Sequence, residues 1–136
     1  MSSILKNKQL LIVEDAQPIL QIVKTVLNSV GAHSDGIGGM DRAQDMVLRK
    51  NYDVVILDRY LEDADGHEFL KFLKKSDATK YIPVVMLSGE KEMDEIKTSI
   101  KLGAVGYILK PFSAKDFLDQ LVKILRRSNA VDLEFK

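Results

Sequence analysis

The chain has 136 residues, 46% hydrophobic and 29% charged; its 20 Lys and Arg cancel 20 Asp and Glu, and it contains no cysteine. This length suits one domain with a real core, and the neutral balance removes the basic field that nucleic acid or an anionic membrane would reward. Disulfides, thiolate metal sites and a cysteine nucleophile are excluded, residues 1–9 carry no secretory pattern, and no stretch approaches the roughly 20 apolar residues of a bilayer span, so a soluble cytoplasmic protein is expected.

Short β-branched runs alternate with stretches of helical periodicity, which predicts a parallel sheet covered by helices. The first strand falls at about 9–14; Pro18 then suits the first turn of a helix whose stripe of Ile19, Ile22, Val23, Val26, Leu27 and Val30 ends at Gly31. A second strand is predicted at 32–37, followed by Gly38 and Gly39 and a helix carrying Ala43, Met46 and Val47 that Asn51 closes. Residues 53–57 read as a central strand, apolar on both faces as a sheet between two helix layers requires. Asp65 with Glu68 forms a capping pattern for a helix burying Phe69, Leu70 and Leu73. The fourth strand is placed at 82–87, and the helix at 91–102 has only a thin stripe of Met93, Ile96 and Ile100, so it is expected to pack loosely. The fifth strand is predicted at 105–109, and Ser113 with Asp116 opens a last helix burying Phe117, Leu118, Leu121, Val122 and Leu125. Five strands alternating with five helices make a single open doubly wound α/β sheet, in which ligands bind beyond the carboxyl ends of the strands.

Those ends carry the chemistry. Glu14 and Asp15 follow the first run, Asp58 the central one, Ser88 the fourth and Lys110-Pro111 the fifth. In this order and spacing, LLIV before Glu14-Asp15, VVILDRYLEDADG at 54–66 and GAVGYILKPF at 103–112 resemble the receiver domain of two-component response regulators, over nearly the whole chain. The resemblance implies a flavodoxin-like, CheY-like fold with strand order 2-1-3-4-5 and a phosphoryl group accepted on Asp58. It implies Mg2+, with Mn2+ as a substitute, held by Asp15, Asp58 and the backbone carbonyl of Tyr60, with Glu14 acting through water. Hard cations of this kind take oxygen ligands and offset the repulsion between a carboxylate and incoming phosphoryl oxygens. By the same resemblance, Lys110 and Ser88 contact the phosphoryl oxygens, the Lys110-Pro111 peptide is cis, and Tyr107 turns inward as Ser88 moves, remodelling the face formed by the fourth helix, fifth strand and fifth helix.

Several positions depart from the family pattern. Leu61-Glu62 stand where a Met-Pro pair is common, so the loop is expected to be more mobile. Tyr60 and Glu90 stand two places after Asp58 and Ser88, and the resemblance implies that these positions overhang the phosphoryl group and tune its hydrolysis; Tyr60 is expected to crowd the attacking water. Val105-Gly106 before Tyr107 lack the acidic residues of an ion-pair lattice, so a monomer or weak dimer is expected. His33 and His67 have no partner at ligand spacing and read as ordinary polar surface residues, Asp65 as a helix cap, and Asp63 as a solvated loop residue.

The expectation is a single-domain response regulator at 1–128 with a frayed tail at 129–136. It would take its phosphoryl group from a sensor histidine kinase or phosphotransfer protein and signal by contact with another protein, without nucleic acid or membrane. It would be no enzyme beyond its own phosphorylation and dephosphorylation. Two alternatives stand beside it: a phosphorylation-independent adaptor, and an aspartate-nucleophile phosphatase. The second would want an Asp where Tyr60 stands.

Overall fold

Alternation along the inner strands divides the core into two layers, because neighbouring side chains on a strand point to opposite faces. In the computed structural model, which describes residues 3–89 and 93–134, β1 (Gln9–Val13), β2 (His33–Ile37), β3 (Val54–Asp58), β4 (Val84–Ser88) and β5 (Gly106–Leu109) form one parallel sheet in the order β2-β1-β3-β4-β5. Leu10, Ile12, Val54, Ile56, Val85 and Leu87 face a layer formed by α1 (Gln17–Ser29) and α5 (Ala114–Glu134). Leu11, Val13, Val55, Leu57, Val84 and Met86 face the opposite layer, which includes α2 (Met40–Arg49) and α3 (Gly66–Lys75). A parallel sheet covered on both faces is the arrangement that continuous apolar strand runs demand.

The helices arise for local reasons that the sequence displays. Pro18 lies in the first turn of α1, and Asp65 caps α3 by accepting a hydrogen bond from the His67 amide at 2.9 Å. The Ser113 hydroxyl accepts from the Asp116 amide at 3.0 Å, starting α5. That helix can lie close to the sheet because β5 opens on Gly106, where a Cβ would come within 2.5 Å of Ile124. With no glycine or proline after Phe112 to stop it, α5 continues as helix through Glu134, past the expected boundary at 128; residues 135–136 of the expected tail lie outside the described residues.

The fourth helix, α4 (Met93–Lys101), differs from its sequence reading. Its expected apolar stripe is not its buried face: Met93 is 62% and Ile100 45% exposed, and Ile96 is only half-buried. The buried residue of α4 is Ser99, and neither apolar core cluster contains an α4 side chain among the described residues. Polar contacts of Glu95 and Ser99 help seat the helix, and such contacts leave no periodic apolar signature.

This division predicts unequal costs of truncation. Phe117→Ala, at a fully buried α5 position, is expected to cost about 3–5 kcal/mol, whereas Ile100→Ala is expected to stay within about 0.5 kcal/mol. Equilibrium urea unfolding of both variants checks this, and a comparable loss in the two would contradict the observed seating of α4.

Candidate functional site

Parallel pairing brings the chemistry to one edge of the sheet. Val13 pairs with Leu57, Asp58 with Leu87, and Ser88 with Leu109, so Glu14-Asp15, Asp58, Ser88 and Lys110 all emerge at the carboxyl ends. Backbone bonds extend the order past the strands: the Arg59 amide donates to Leu87 O at 2.8 Å, and the Lys110 amide to Ser88 O at 2.9 Å. The Lys110-Pro111 peptide is cis.

Each of Glu14, Asp15 and Asp58 offers a carboxylate oxygen within 4.8 Å of the others. Glu14 and Asp58 are buried, and Asp15 is partly exposed at the mouth. Lys110 crosses to them, its Nζ 3.1 Å from Asp58 Oδ1 and 2.9 Å from Glu14 Oε1. The second contact joins charges without an aligned hydrogen bond, so Glu14 Oε1 is a buried oxygen with no hydrogen-bond partner. Glu14 Oε2 accepts from the Ala16 amide at 3.1 Å, beside the start of α1 where a negative charge is favoured.

Electrostatics follow from this crowding. Burial, reinforced by the Glu14 charge, pushes the Asp58 carboxyl up to about 6, although Lys110 pulls the other way. Burial works against the Lys110 charge, but Glu14 and Asp58 outweigh it and hold the ammonium above its ordinary value. An all-oxygen donor set, in which three acids are matched by one lysine in contact with two of them, fits a hard divalent cation. Asp15, Asp58 and Glu14 are the side chains able to hold it.

Glycine shapes the loop beyond Asp58. A Cβ on Gly66 would meet Asp58 O at 2.2 Å, so only glycine lets α3 begin this close to the strand end. The loop folds back through Leu61 N to Ala64 O at 3.0 Å and Gly66 N to Arg59 O at 2.7 Å, bonds that leave the Tyr60 carbonyl out. Although the stiffening proline is missing, the loop is tied to its surroundings: Asp15 Oδ2 accepts from Glu62 N at 2.7 Å, and Asp63 Oδ2 accepts from Met40 N at 3.2 Å. Asp63, expected to be merely solvated, thus caps α2, whose N-cap Gly39 has no side chain for the task.

Ser88 is buried beside Tyr107, and the two side chains share a hydrogen bond; Tyr107 is half-buried. Tyr60 is 53% exposed, its ring 4.5 Å from the Arg59 guanidinium carbon. Glu90 lies outside the described residues. His33 is exposed as expected, but the surface reading of His67 is corrected: it is buried, with Nε2 2.7 Å from Ser99 Oγ, and burial lowers its pKa.

Arg59 is the functional candidate that sequence reasoning passed over. It is 7% exposed and pairs with both Asp65 and, at 3.3 Å, Glu95 of α4. The available signal was an arginine set among Asp58, Glu62, Asp63 and Asp65, which needs a partner once it follows a buried strand.

A doubly wound parallel sheet with this strand order and an acidic cluster at its carboxyl edge places the chain among flavodoxin-like, CheY-like α/β proteins. More narrowly, residues 10–122 match the response regulator receiver domain, and the chain belongs to that family. It is 32% identical to the chemotaxis protein CheY-3 of Vibrio cholerae, with 90% of this chain and 95% of that protein covered. It is also 32% identical to the phosphate regulon transcriptional regulatory protein PhoB of Escherichia coli, over 93% of this chain but 56% of PhoB, so the chain spans about half the length of such relatives. Among solved structures, the chemotaxis response regulator CheY4 of Vibrio cholerae superposes with a TM-score of 0.83 at 25% identity, covering 88% of this chain and 99% of that one. Among the described residues no helix is long and apolar enough to cross a membrane.

The raised Asp58 pKa sets a pH dependence. The folded state holds the Asp58 proton more tightly than the unfolded state, so as pH rises from about 4 to about 6 the metal-free fold loses stability, and the loss is complete above that window. A divalent cation relieves the repulsion, so the thermal midpoint gained on adding Mg2+ is expected to be larger at about pH 7.5 than at about pH 5. Asp58→Asn without metal is expected to raise the midpoint at neutral pH. Differential scanning calorimetry of both proteins reads these shifts, and a metal-free Asp58→Asn midpoint below the parent's would contradict the assigned repulsion.

Proposed function

We propose that this domain accepts a phosphoryl group on Asp58 from a sensor histidine kinase or a histidine phosphotransfer protein, and signals through protein contacts that change with that modification. The observation that carries this reading is Lys110 Nζ at 3.1 Å from the one carboxylate that ends the central strand, inside a cluster of three acids. An Asp58 oxygen attacks phosphorus, and the phosphorus–nitrogen bond of the donor phosphohistidine breaks. The bonding pair passes to the imidazole nitrogen, which takes up a proton from solvent as required. When bound, Mg2+ supplies the positive charge that lets the carboxylates and the phosphoryl oxygens share the site; Mn2+ has the same ligand preferences.

The chain's own residues do the rest. Burial keeps water away from Asp58, while Lys110 presents a compact cation to the transferring oxygens and Ser88 a hydroxyl donor. Asp15, Asp58, Glu14 and the Tyr60 carbonyl are the groups assigned to the metal, and Asp15, whose Oδ2 accepts from the Glu62 amide, keeps further lone pairs to serve there. Ser88 is already joined to Tyr107, so a phosphoryl oxygen that draws the hydroxyl alters the tyrosine and the surface of α4, β5 and α5. The domain catalyses only its own modification and its reversal. We assign this domain to the cytoplasm, as a monomer or weak dimer that signals by protein contact and itself touches neither nucleic acid nor membrane. The phosphatase alternative is not favoured, since Tyr60 stands where its second acid would be, and the cluster completed by Lys110 gives a phosphorylation-independent adaptor no advantage.

Incubation with a small acyl phosphate and Mg2+ is expected to add one phosphoryl mass to the intact protein, with no gain in Asp58→Asn and a loss of about 100-fold in rate in Lys110→Ala. Equal labelling of Asp58→Asn would sink the assignment. Tyr60→Ala is expected to hydrolyse faster than the parent, read as decay of the phosphorylated mass; an unchanged or slower decay would show that the ring does not hinder the attacking water.

A further inference from the structure

Three observations converge on the way α4 is held. No α4 side chain belongs to either core cluster among the described residues, and Met93 and Ile100 face outward. Two polar contacts tie α4 inward beside the half-buried Ile96: Glu95 Oε2 lies 3.3 Å from an Arg59 guanidinium nitrogen, and Ser99 Oγ lies 2.7 Å from His67 Nε2. Glu95 and Ser99 are four residues apart, so they lie on one face of the helix. Both partners come from the segment that starts immediately after Asp58. Asp65 joins them, accepting from the His67 amide at 2.9 Å and pairing with the Arg59 guanidinium.

We propose that Arg59 and His67 form a polar clasp that seats α4 on the phosphoacceptor loop, and that Arg59 is a positioning residue through which charge on Asp58 reaches α4. The proposal rests on the phosphoacceptor reading of Asp58. Arg59 is nearly buried and its guanidinium is divided between two carboxylates, one of them at the longer 3.3 Å separation. Its Nε is buried with no hydrogen-bond partner, so the cation is not fully satisfied where it stands. Its amide is fixed to Leu87 O, which leaves the side chain as the part able to respond.

A phosphoryl group brings roughly two negative charges to the neighbouring residue, in surroundings where water screens weakly. That charge competes with Glu95 for Arg59. Loosening the weaker pair removes one polar link of α4 and leaves the contact of Ser99 with His67. This route is distinct from the one through Ser88 and Tyr107. Coupling is reciprocal, so a variant lacking the Arg59–Glu95 attraction must also bind a phosphoryl mimic more tightly.

The test uses Glu95→Gln, which keeps the size of a partly exposed side chain and removes its charge, with Lys97→Gln on the exposed face of the same helix as control. Amide hydrogen exchange across α4 is measured in the unmodified proteins, and beryllofluoride binding with Mg2+ is measured by calorimetry. Glu95→Gln is expected to exchange α4 amides about five-fold faster and to bind beryllofluoride about five-fold tighter, with Lys97→Gln matching the parent. Parental exchange in Glu95→Gln would overturn the clasp. Faster exchange with parental beryllofluoride affinity would overturn the coupling, leaving only a structural contact. If the parent itself fails to bind beryllofluoride, the phosphoacceptor reading and the coupling both fall, while the exchange measurement still decides on the clasp.

Discussion

The contact of Lys110 with Glu14 and Asp58 is the interaction on which the arrangement of this domain turns. Two buried carboxylates and a third at the mouth sit within 4.8 Å of one another, an arrangement that repels itself unless a cation enters it. The lysine comes from the chain after β5 and passes the end of β4 to reach β3 and β1. That span works only if the carboxyl ends of all four strands are in register, and the ladder from Val13 and Leu57 through Asp58 and Leu87 to Ser88 and Leu109 provides it. The core therefore has a functional task beyond stability: it holds the strand ends so that one ammonium meets two acids.

Lys110 does not neutralise the site completely. Asp58 keeps a raised pKa despite it, and Glu14 Oε1 has charge contact but no aligned hydrogen bond. A site left partly unsatisfied in this way has affinity to spare for a cation and for an anionic group that arrive together, whereas three acids fully matched by basic side chains would have little reason to bind either. The same incompleteness recurs one residue further on. Arg59, with its unpartnered Nε and its guanidinium divided between Asp65 and Glu95, is also a charge held without being saturated.

What the sequence displayed was whatever repeats or sits at an end. Strands β3 and β4 were legible because residues buried on both faces give unbroken apolar runs, and the placement of Asp58, Ser88 and Lys110 followed from those runs ending where they do. The α4 seat was illegible because its determinants, Glu95 and Ser99, find partners 36 and 32 residues away, and polar tertiary pairs have no period. Met93 and Ile100, with the half-buried Ile96, mimicked a buried stripe, since spacing alone cannot tell an inward apolar face from an outward one. His67 misled for a related reason: its partner lies on another helix, and no local spacing announces it. Asp63 looked like a solvated acid because the start of the helix it caps, at Met40, precedes it by 23 residues.

The energetics explain why a polar seat suits α4. Burying one Leu or Ile side chain contributes about 1.5–3 kcal/mol, so a helix anchored by two or three of them would resist anything short of local unfolding. A partly exposed ion pair contributes about 0.2–1 kcal/mol and a hydrogen bond about 0.5–1.5 kcal/mol. Couplings between sites in proteins are typically about 1–3 kcal/mol, enough to shift a helix held by the second kind of contact and too little to dislodge one held by the first. An outward apolar face on such a helix costs some solvation in the free domain, yet it leaves Met93 and Ile100 at the surface. Exposure of those residues and the weakness of the polar contacts are thus two aspects of one constraint: a helix seated as the proposed coupling requires cannot also be part of the core.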